Sequence, residues 1–155
     1  MMKIYKLEHK QILQITKMEC WIFFSDPKNL QKITPPDMDF EIKSELSPAM
    51  YEGQIIIYQI KLLPGVKINW VTEITHVVEG NYFVDEQRFG PYKFWHHQHM
   101  FKEVENGMEV QDIVHYAIPL GILGRLSNTL FIRARLNKIF QYRNEYLKST
   151  LINEQ

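Results

Sequence analysis

The sequence predicts an α+β domain built from an antiparallel sheet of six to seven strands and one long C-terminal helix. Apolar and polar residues alternate with a period of two from about residue 37 to 118, as strands require. Short turn signals at Pro64–Gly65, Gly80–Asn81 and Asn106–Gly107 separate the strands and favour a meander. From about residue 123 to 150 the period changes to that of a helix with one apolar face.

Two short helices are predicted directly after a first strand at residues 2 to about 13. Thr16 and Glu19 have the spacing of a capping box, which marks the start of the first helix. Asp26 and Pro27 have the residue types of an N-cap and a first helical position, and the second helix should end before Pro35. The sheet should curl as it twists and wrap around the long helix.

The apolar stripe of the long helix faces that sheet. Its members recur at roughly 100° per residue: Leu126, Leu130, Ile132, Leu136, Ile139, Phe140, Leu147 and Leu151. The helix also carries Arg125, Arg133, Arg135, Lys138 and Arg143, with no acidic residue between Asp112 and Glu145. Because the formal net charge is zero, these residues predict a solvated basic face rather than a nucleic-acid or lipid surface. Arg143 is the exception, since it falls within the apolar stripe.

Composition limits the classes of protein. The pI is near 7.0, so no nucleic-acid partner is expected. The amino-terminal residues contain no apolar run, so we expect a cytoplasmic protein without stable membrane insertion. A single cysteine, Cys20, allows no intramolecular disulfide, and its apolar neighbours indicate a packing residue rather than a nucleophile.

Histidines and aromatic residues share one face of the strand FGPYKFWHHQHMF, residues 89–101. Trp95, His97, His99 and Phe101 point one way, and Phe94, His96, Gln98 and Met100 point the other. On neighbouring strands, Asp85 and Gln87 share a face with Phe83 and Phe89, and Asp112 shares one with Val110 and Val114. A carboxylate on an apolar face needs a partner, so this mixture indicates a pocket rather than a plain core.

Three motifs carry a resemblance to a known superfamily: FFSDPKNLQKITPP (23–36), FVDEQRFGPYKFWHHQHMF (83–101) and GMEVQDIVHYAIPLGILGRL (107–126). They resemble the START-like superfamily, also called SRPBCC, in its polyketide-cyclase/dehydrase-like "ligand-binding SRPBCC" branch of bacterial proteins. The resemblance covers nearly the whole chain and implies the helix-grip fold and a single domain over residues 1–155. The His96–His97 pair departs from it, since a single histidine is expected at the second position.

The resemblance implies a cavity between the sheet and the long helix. Matching positions, together with the inward face of the helix, give the expected ligand-binding residues: Trp70, Asp85, Gln87, Trp95, His97, His99, Asp112, Tyr116, Phe140 and Arg143. Arg143 could reach the cavity mouth as an anion anchor, or its stem could snorkel and carry the charge to solvent. The segments 47–53 and 90–93 could gate such a cavity or form static turns.

The polar residues of this set have three interpretations. They form a buried network that fixes the fold, they orient a ligand, or they catalyse acid–base chemistry. In the last case His97, Asp85 or Tyr116 acts as acid or base, and Asp112 orients a histidine. We therefore expect a protein that binds a hydrophobic or amphipathic small molecule, such as a lipid, a polyketide-like or an aromatic compound. The alternatives are a cyclase, dehydratase or hydrolase, and a regulatory interaction protein with a filled interior.

The two histidines on this face are also candidate metal ligands. His97 and His99 lie about 6.6 Å apart along one face of a strand, which is a spacing that can chelate. A third ligand would have to come from Asp112, Asp85 or another histidine. Two ligands fall short of the three or four that zinc sites use, so the sequence predicts no metal and no cofactor.

Overall fold

The computed structural model describes residues 2–127 and 131–151, without the side chains of residues 122, 125 and 127. It confirms the α+β architecture. The elements, in chain order, are β1 (Tyr5–Leu13), α1 (Lys17–Ser25), α2 (Pro27–Lys32), β2 (Glu41–Ile42), β3 (Gln54–Leu63), β4 (Val66–Val78), β5 (Tyr82–Phe89), β6 (Phe94–Val104), β7 (Gly107–Ala117), α3 (Gly121–Ser127) and α4 (Arg133–Leu151).

The seven strands form one antiparallel sheet in the order β1-β7-β6-β5-β4-β3-β2. Strands β2 to β7 follow one another as the turn signals predict, and β1 pairs with β7 at the edge. The register places Asp85 opposite His97, and His99 opposite Asp112. Three neighbouring strands therefore bring four ionisable side chains to one place on the sheet.

Both helix starts predicted from the sequence are present. The Thr16 hydroxyl accepts a hydrogen bond from the Glu19 amide (3.2 Å), and the Glu19 carboxylate accepts one from the Thr16 amide (2.8 Å). The Asp26 carboxylate accepts a bond from the Lys28 amide at 2.9 Å, with Pro27 in the first turn. Helix α1 packs against β6 and β7, at one end of the molecule.

The alternation that starts at about residue 37 predicts a longer first strand in this region than the structure forms. Only Glu41–Ile42 pairs with β3, although burial still alternates through residue 46. Beyond Ile42 the Lys43 amide still donates to the Ile57 carbonyl (2.8 Å), but the Ile57 amide donates to the Ser44 hydroxyl (3.1 Å) rather than to a backbone carbonyl. A polar side chain has replaced the strand's main-chain partner.

The C-terminal helix predicted from about residue 123 to 150 is described in two stretches, α3 and α4, and residues 128–130 lie outside the described part of the chain. Leu126, in α3, is 57% exposed, so it does not belong to the buried stripe. Leu130 and the Arg125 side chain lie outside the described residues. In α4 the buried positions are Leu136, Phe140, Arg143 and Leu147, with the spacing that the helical period predicts.

Strand β5 departs from strict alternation at its end. Val71 pairs with Phe89 and Thr72 with Gln87, so Arg88 is an extra residue in the ladder. This bulge turns Phe89 to solvent, where it is 67% exposed, and the expectation that it shares a face with Asp85 and Gln87 is wrong.

Two apolar clusters form the core. One joins α1 and α2 to the sheet and includes Phe24, Phe101 and Leu147, and the other joins β1, β6 and β7 to Leu136 and Phe140 of α4. Trp70 packs against both. Helix α4 is therefore supported near each end by a different cluster. None of the described helices is long and apolar enough to cross a membrane.

We predict that Gly107→Ala destabilises the protein more than Gly65→Ala. Both glycines have positive φ (129° and 75°), which costs an alanine about 1–2 kcal/mol. A Cβ at residue 107 would also overlap the Leu13 carbonyl, whereas one at residue 65 meets open space. Urea unfolding should show a loss at least about 1 kcal/mol larger for Gly107→Ala. Equal losses would contradict this account of the β6–β7 hairpin.

Candidate functional site

A cavity of about 650 Å³ lies between the sheet and α4. A space of this size shows that side chains do not fill the interior. The wall is mostly apolar and aromatic, with side chains from α2, the central strands and α4. The aromatic part of the lining consists of Phe23, Phe24, Phe40, Tyr58, Trp70, Phe83, Tyr92, Trp95, Phe131 and Phe140.

Most of the site residues predicted from the sequence line this cavity: Trp70, Asp85, Trp95, His97, His99, Phe140 and Arg143. Gln87, Asp112 and Tyr116 do not line it. Asp112 and Tyr116 are buried behind the wall, at 5% and 1% exposure. Tyr116 packs against Trp95 and Tyr92, with ring centroids 6.4 and 5.8 Å away, and so supports the wall from behind.

Gln87 fixes the turn between β5 and β6. Its amide nitrogen donates to the Tyr92 carbonyl (2.7 Å), and its amide oxygen accepts from the Tyr92 backbone N–H (3.2 Å). Pro91 and Tyr92 of this turn line the cavity. One side chain thus bonds both backbone groups of Tyr92, which favours a static turn over a gate in the segment 90–93.

Two histidines and two aspartates form a compact polar cluster at the cavity wall. His97 Nε2 donates to Asp112 Oδ1 and His99 Nε2 donates to Asp85 Oδ2, each at 2.7 Å. These rings must carry the protons, because an ionised carboxylate only accepts. His97 is also close to Asp85, its partner on the neighbouring strand, with Nδ1 3.4 Å from Asp85 Oδ2. His99 Nδ1 lies 3.1 Å from Asp112 Oδ1 but outside hydrogen-bonding geometry.

Arg143 connects this cluster to α4. Its guanidinium donates to Asp112 Oδ1 at 3.1 Å and lies 4.8 Å from the centre of the Phe140 ring. The side chain is only 5% exposed, so it neither snorkels to solvent nor sits at a cavity mouth. The anion that it binds within the chain is Asp112.

Solved structures with the same architecture cover almost the whole chain. A protein from Chromobacterium violaceum is 15% identical, with a TM-score of 0.71, over 94% of this chain and 96% of that one. Norcoclaurine synthase from Thalictrum flavum, solved with a transition state analogue, is 11% identical with a TM-score of 0.66, over 96% and 97% of the two chains. The di-domain ARO/CYC StfQ of the steffimycin biosynthetic pathway is 11% identical with a TM-score of 0.69, over 97% of this chain and 52% of that one.

This chain has the helix-grip fold. The structure therefore confirms the fold that the START-like resemblance implied. No protein-family model matches the sequence, and no curated protein matches it. At such low identity the likeness concerns the fold alone.

The charges of the polar cluster do not balance while both of its histidines are neutral. Asp85, Asp112 and Arg143 together carry a net charge of −1 when both histidines are neutral. Burial alone would raise the pKa of Asp112, but Arg143 and the two histidines hold the pKa well below its usual range. The pKa of Asp85 is likewise lowered, against burial, by His97 and His99. Both carboxylates are therefore ionised, and the site attracts a positive charge.

The two histidines differ in proton affinity. Burial lowers the pKa of both rings, but at His99 the attraction of the nearby Asp112 and Asp85 carboxylates outweighs it, and the pKa is raised. At His97, burial and the neighbouring His99 charge dominate, and the pKa is lowered. One proton on His99 makes the cluster neutral.

Arg135 is a site residue that the sequence analysis missed. The sequence predicts that it lies on the solvated basic face, but it lines the cavity and donates to the carbonyls of Lys61 (3.0 Å) and Leu62 at the end of β3. Its position about two turns before Arg143 is the signal that could have identified it. Lys138, by contrast, is 73% exposed, as predicted.

Cys20 is not a candidate nucleophile. It is fully buried in the first core cluster, and burial raises the pKa of its thiol to about 12. This agrees with the packing role expected from the sequence.

We predict that Arg143→Met and Asp112→Asn each lower the free energy of unfolding by about 3–5 kcal/mol, because each disrupts a buried ion pair. The double variant should lose less than the sum of the two, by at least about 1 kcal/mol, since it removes both charges. Urea unfolding of all four proteins measures this.

A surface pair serves as the control. Arg88 contacts Glu73 with side chains 46% and 28% exposed, and Arg88→Met should cost less than about 1 kcal/mol. A loss at Arg143→Met as small as that at Arg88→Met would show that the buried pair contributes little to stability.

Proposed function

We propose that the protein binds a hydrophobic or amphipathic small molecule between its sheet and α4. The observation that carries this proposal is the cavity of about 650 Å³, which lies within the range of about 300–1,000 Å³ typical of small-molecule sites. The alternative of a regulatory interaction protein assumes a filled interior. The cavity among the described residues argues against that alternative.

The lining supports an amphipathic ligand with an aromatic or alicyclic body. Trp70, Tyr92 and Trp95 form a mutually packed aromatic wall, with ring centroids 4.8–5.5 Å apart. A polar region lies close by, because Trp95 Nε1 donates to the cavity-lining Asp85 at 3.3 Å. Arg143 adds an Nε–H that is buried without a partner among the described residues, and a ligand oxygen could accept its hydrogen bond.

We predict that Ile60→Trp reduces binding of the apolar fluorophore N-phenyl-1-naphthylamine at least about tenfold. Ile60 is 3% exposed, lines the cavity and belongs to neither core cluster, so a larger side chain there would occupy ligand space. Fluorescence titration of the purified protein measures the dissociation constant.

The matched control is Ile55→Trp on the same strand. Ile55 is 46% exposed and lies outside the cavity lining, so its substitution should leave the dissociation constant within about twofold. Wild-type protein that does not bind the fluorophore, or equal effects of both substitutions, would contradict binding in this cavity.

Acid–base catalysis in the same cavity is the second candidate. The specific observation in its favour is that Asp85, His97 and His99 all reach the cavity wall rather than being sealed behind it. Asp112 fits the orienting role, since it holds His97 at 2.7 Å. Tyr116 does not line the cavity, so it is a poorer candidate for acid or base.

Molecules that co-purify with wild type and Asp85→Asn distinguish the two candidates. A binding protein should carry the same compound in both forms, because Asn keeps the shape of Asp. An enzyme should carry product in the wild type and unconverted substrate in the variant, because the variant has lost a basic group. Native mass spectrometry followed by denaturing extraction compares the bound masses, and identical masses in both forms would rule against catalysis by Asp85.

A further inference from the structure

Three side chains in the polar cluster converge on one point. Asp85, His97 and His99 each offer one ligand atom, and these atoms all lie within 4.8 Å of one another. Asp85 Oδ2 is 2.7 Å from His99 Nε2 and 3.4 Å from His97 Nδ1. Around a metal ion with bonds of about 2.0–2.2 Å, adjacent ligand atoms lie roughly 3–3.5 Å apart, so small adjustments would complete the geometry.

Each of the three groups is already oriented by a second partner. Asp112 accepts the N–H of His97 Nε2, which leaves Nδ1 of a neutral ring free to bind a cation. Trp95 donates to Asp85 Oδ1, which leaves Oδ2 between the two rings. His99 stacks on Phe83 with ring centroids 4.1 Å apart, and its Nε2 would release to solvent the proton that it donates to Asp85 when it binds the ion. In metal sites, histidine ligands are oriented by hydrogen bonds to carboxylates and similar groups, as Asp112 orients His97 here.

The arrangement of charged side chains also favours a cation at this point. Arg143 neutralises Asp112, and the negative charge of Asp85 remains between two imidazoles. A proton on one histidine is one solution, and a metal ion bound by all three groups is the other.

We propose that Asp85, His97 and His99 bind a divalent transition-metal ion at the cavity wall. Two imidazoles and one carboxylate select ions such as Zn²⁺ or Fe²⁺ over Mg²⁺ and Ca²⁺, which prefer oxygen ligands. Three protein ligands leave at least one coordination position open, as in metal sites that act on a bound molecule. All three groups line the cavity, so that position is accessible to its contents. Of the third ligands that the sequence left open, the proposal thus selects Asp85.

Metal titration tests this without any cavity ligand, so its outcome is separate from that of the fluorophore experiment. Full-length protein dialysed against a chelator is titrated with Zn²⁺ by calorimetry and with Co²⁺ by visible absorption. We expect one ion per chain. His97→Gln, His99→Gln and Asp85→Asn should each weaken Zn²⁺ binding at least about 100-fold, because loss of an outer-shell partner alone costs about 10–100-fold.

The outer face of the sheet supplies a matched control. His96 and His115 are directly opposite each other on β6 and β7, with ring centroids 6.3 Å apart. His96→Gln and His115→Gln should leave Zn²⁺ affinity within about twofold of wild type if the ion binds at the inner cluster. Circular dichroism and thermal unfolding check that every variant is folded. Zn²⁺ should raise the Tm of wild type and of the outer-face variants, but not that of the inner ones.

The opposite pattern would overturn the proposal. Wild-type protein that takes up less than one equivalent of both ions, or Zn²⁺ binding that survives all three inner substitutions, would leave a proton as the cation of the cluster. Binding lost on substitution of His96 or His115 would assign the ion to the outer face.

Discussion

The buried ion pair between Asp112 and Arg143 connects the sheet to the helix that covers it. Both residues are 5% exposed, and the desolvation of either charge would cost several kcal/mol without the other. The pair also keeps Asp112 ionised, so that it accepts the ring N–H of His97. The position of α4, the orientation of the histidine and the chemistry of the cavity wall therefore depend on one interaction.

That pair lies between the two apolar clusters of the core. Leu136 and Phe140 of α4 belong to one cluster and Leu147 to the other, and Arg143 is between them in the sequence. The helix is thus fixed at both ends while the space beneath it stays open. Gln11 of β1 strengthens this attachment, since its side-chain amide donates a hydrogen bond of 3.0 Å to the Asn144 carbonyl. An interior supported in this way can keep a cavity that close packing would otherwise remove.

The sequence was informative where local chemistry decides structure. The caps at Thr16 and Asp26, the turn signals and the inward set Trp95, His97 and His99 are all as predicted, because each depends on neighbouring residues. It was less informative where distant groups decide. Strand β2 ends near the point where the Ile57 amide donates to the Ser44 hydroxyl, and the role of Arg135 depends on carbonyls more than 70 residues away. Helix periodicity placed Arg143 on the inner face, but only the folded chain pairs it with Asp112.

The extra residue at Arg88 has a consequence for how this strand can vary. Because side chains alternate along a strand, the bulge lets Gln87 face the turn at Tyr92 while Phe89 faces outward. Removing one residue between β4 and Asp85 would reverse the faces of β5 and turn Asp85 away from His97 and His99. Over evolutionary time, the site is thus less tolerant of insertions and deletions in this hairpin than of most single exchanges on its outer surface. Strand length, as much as residue identity, preserves the cluster.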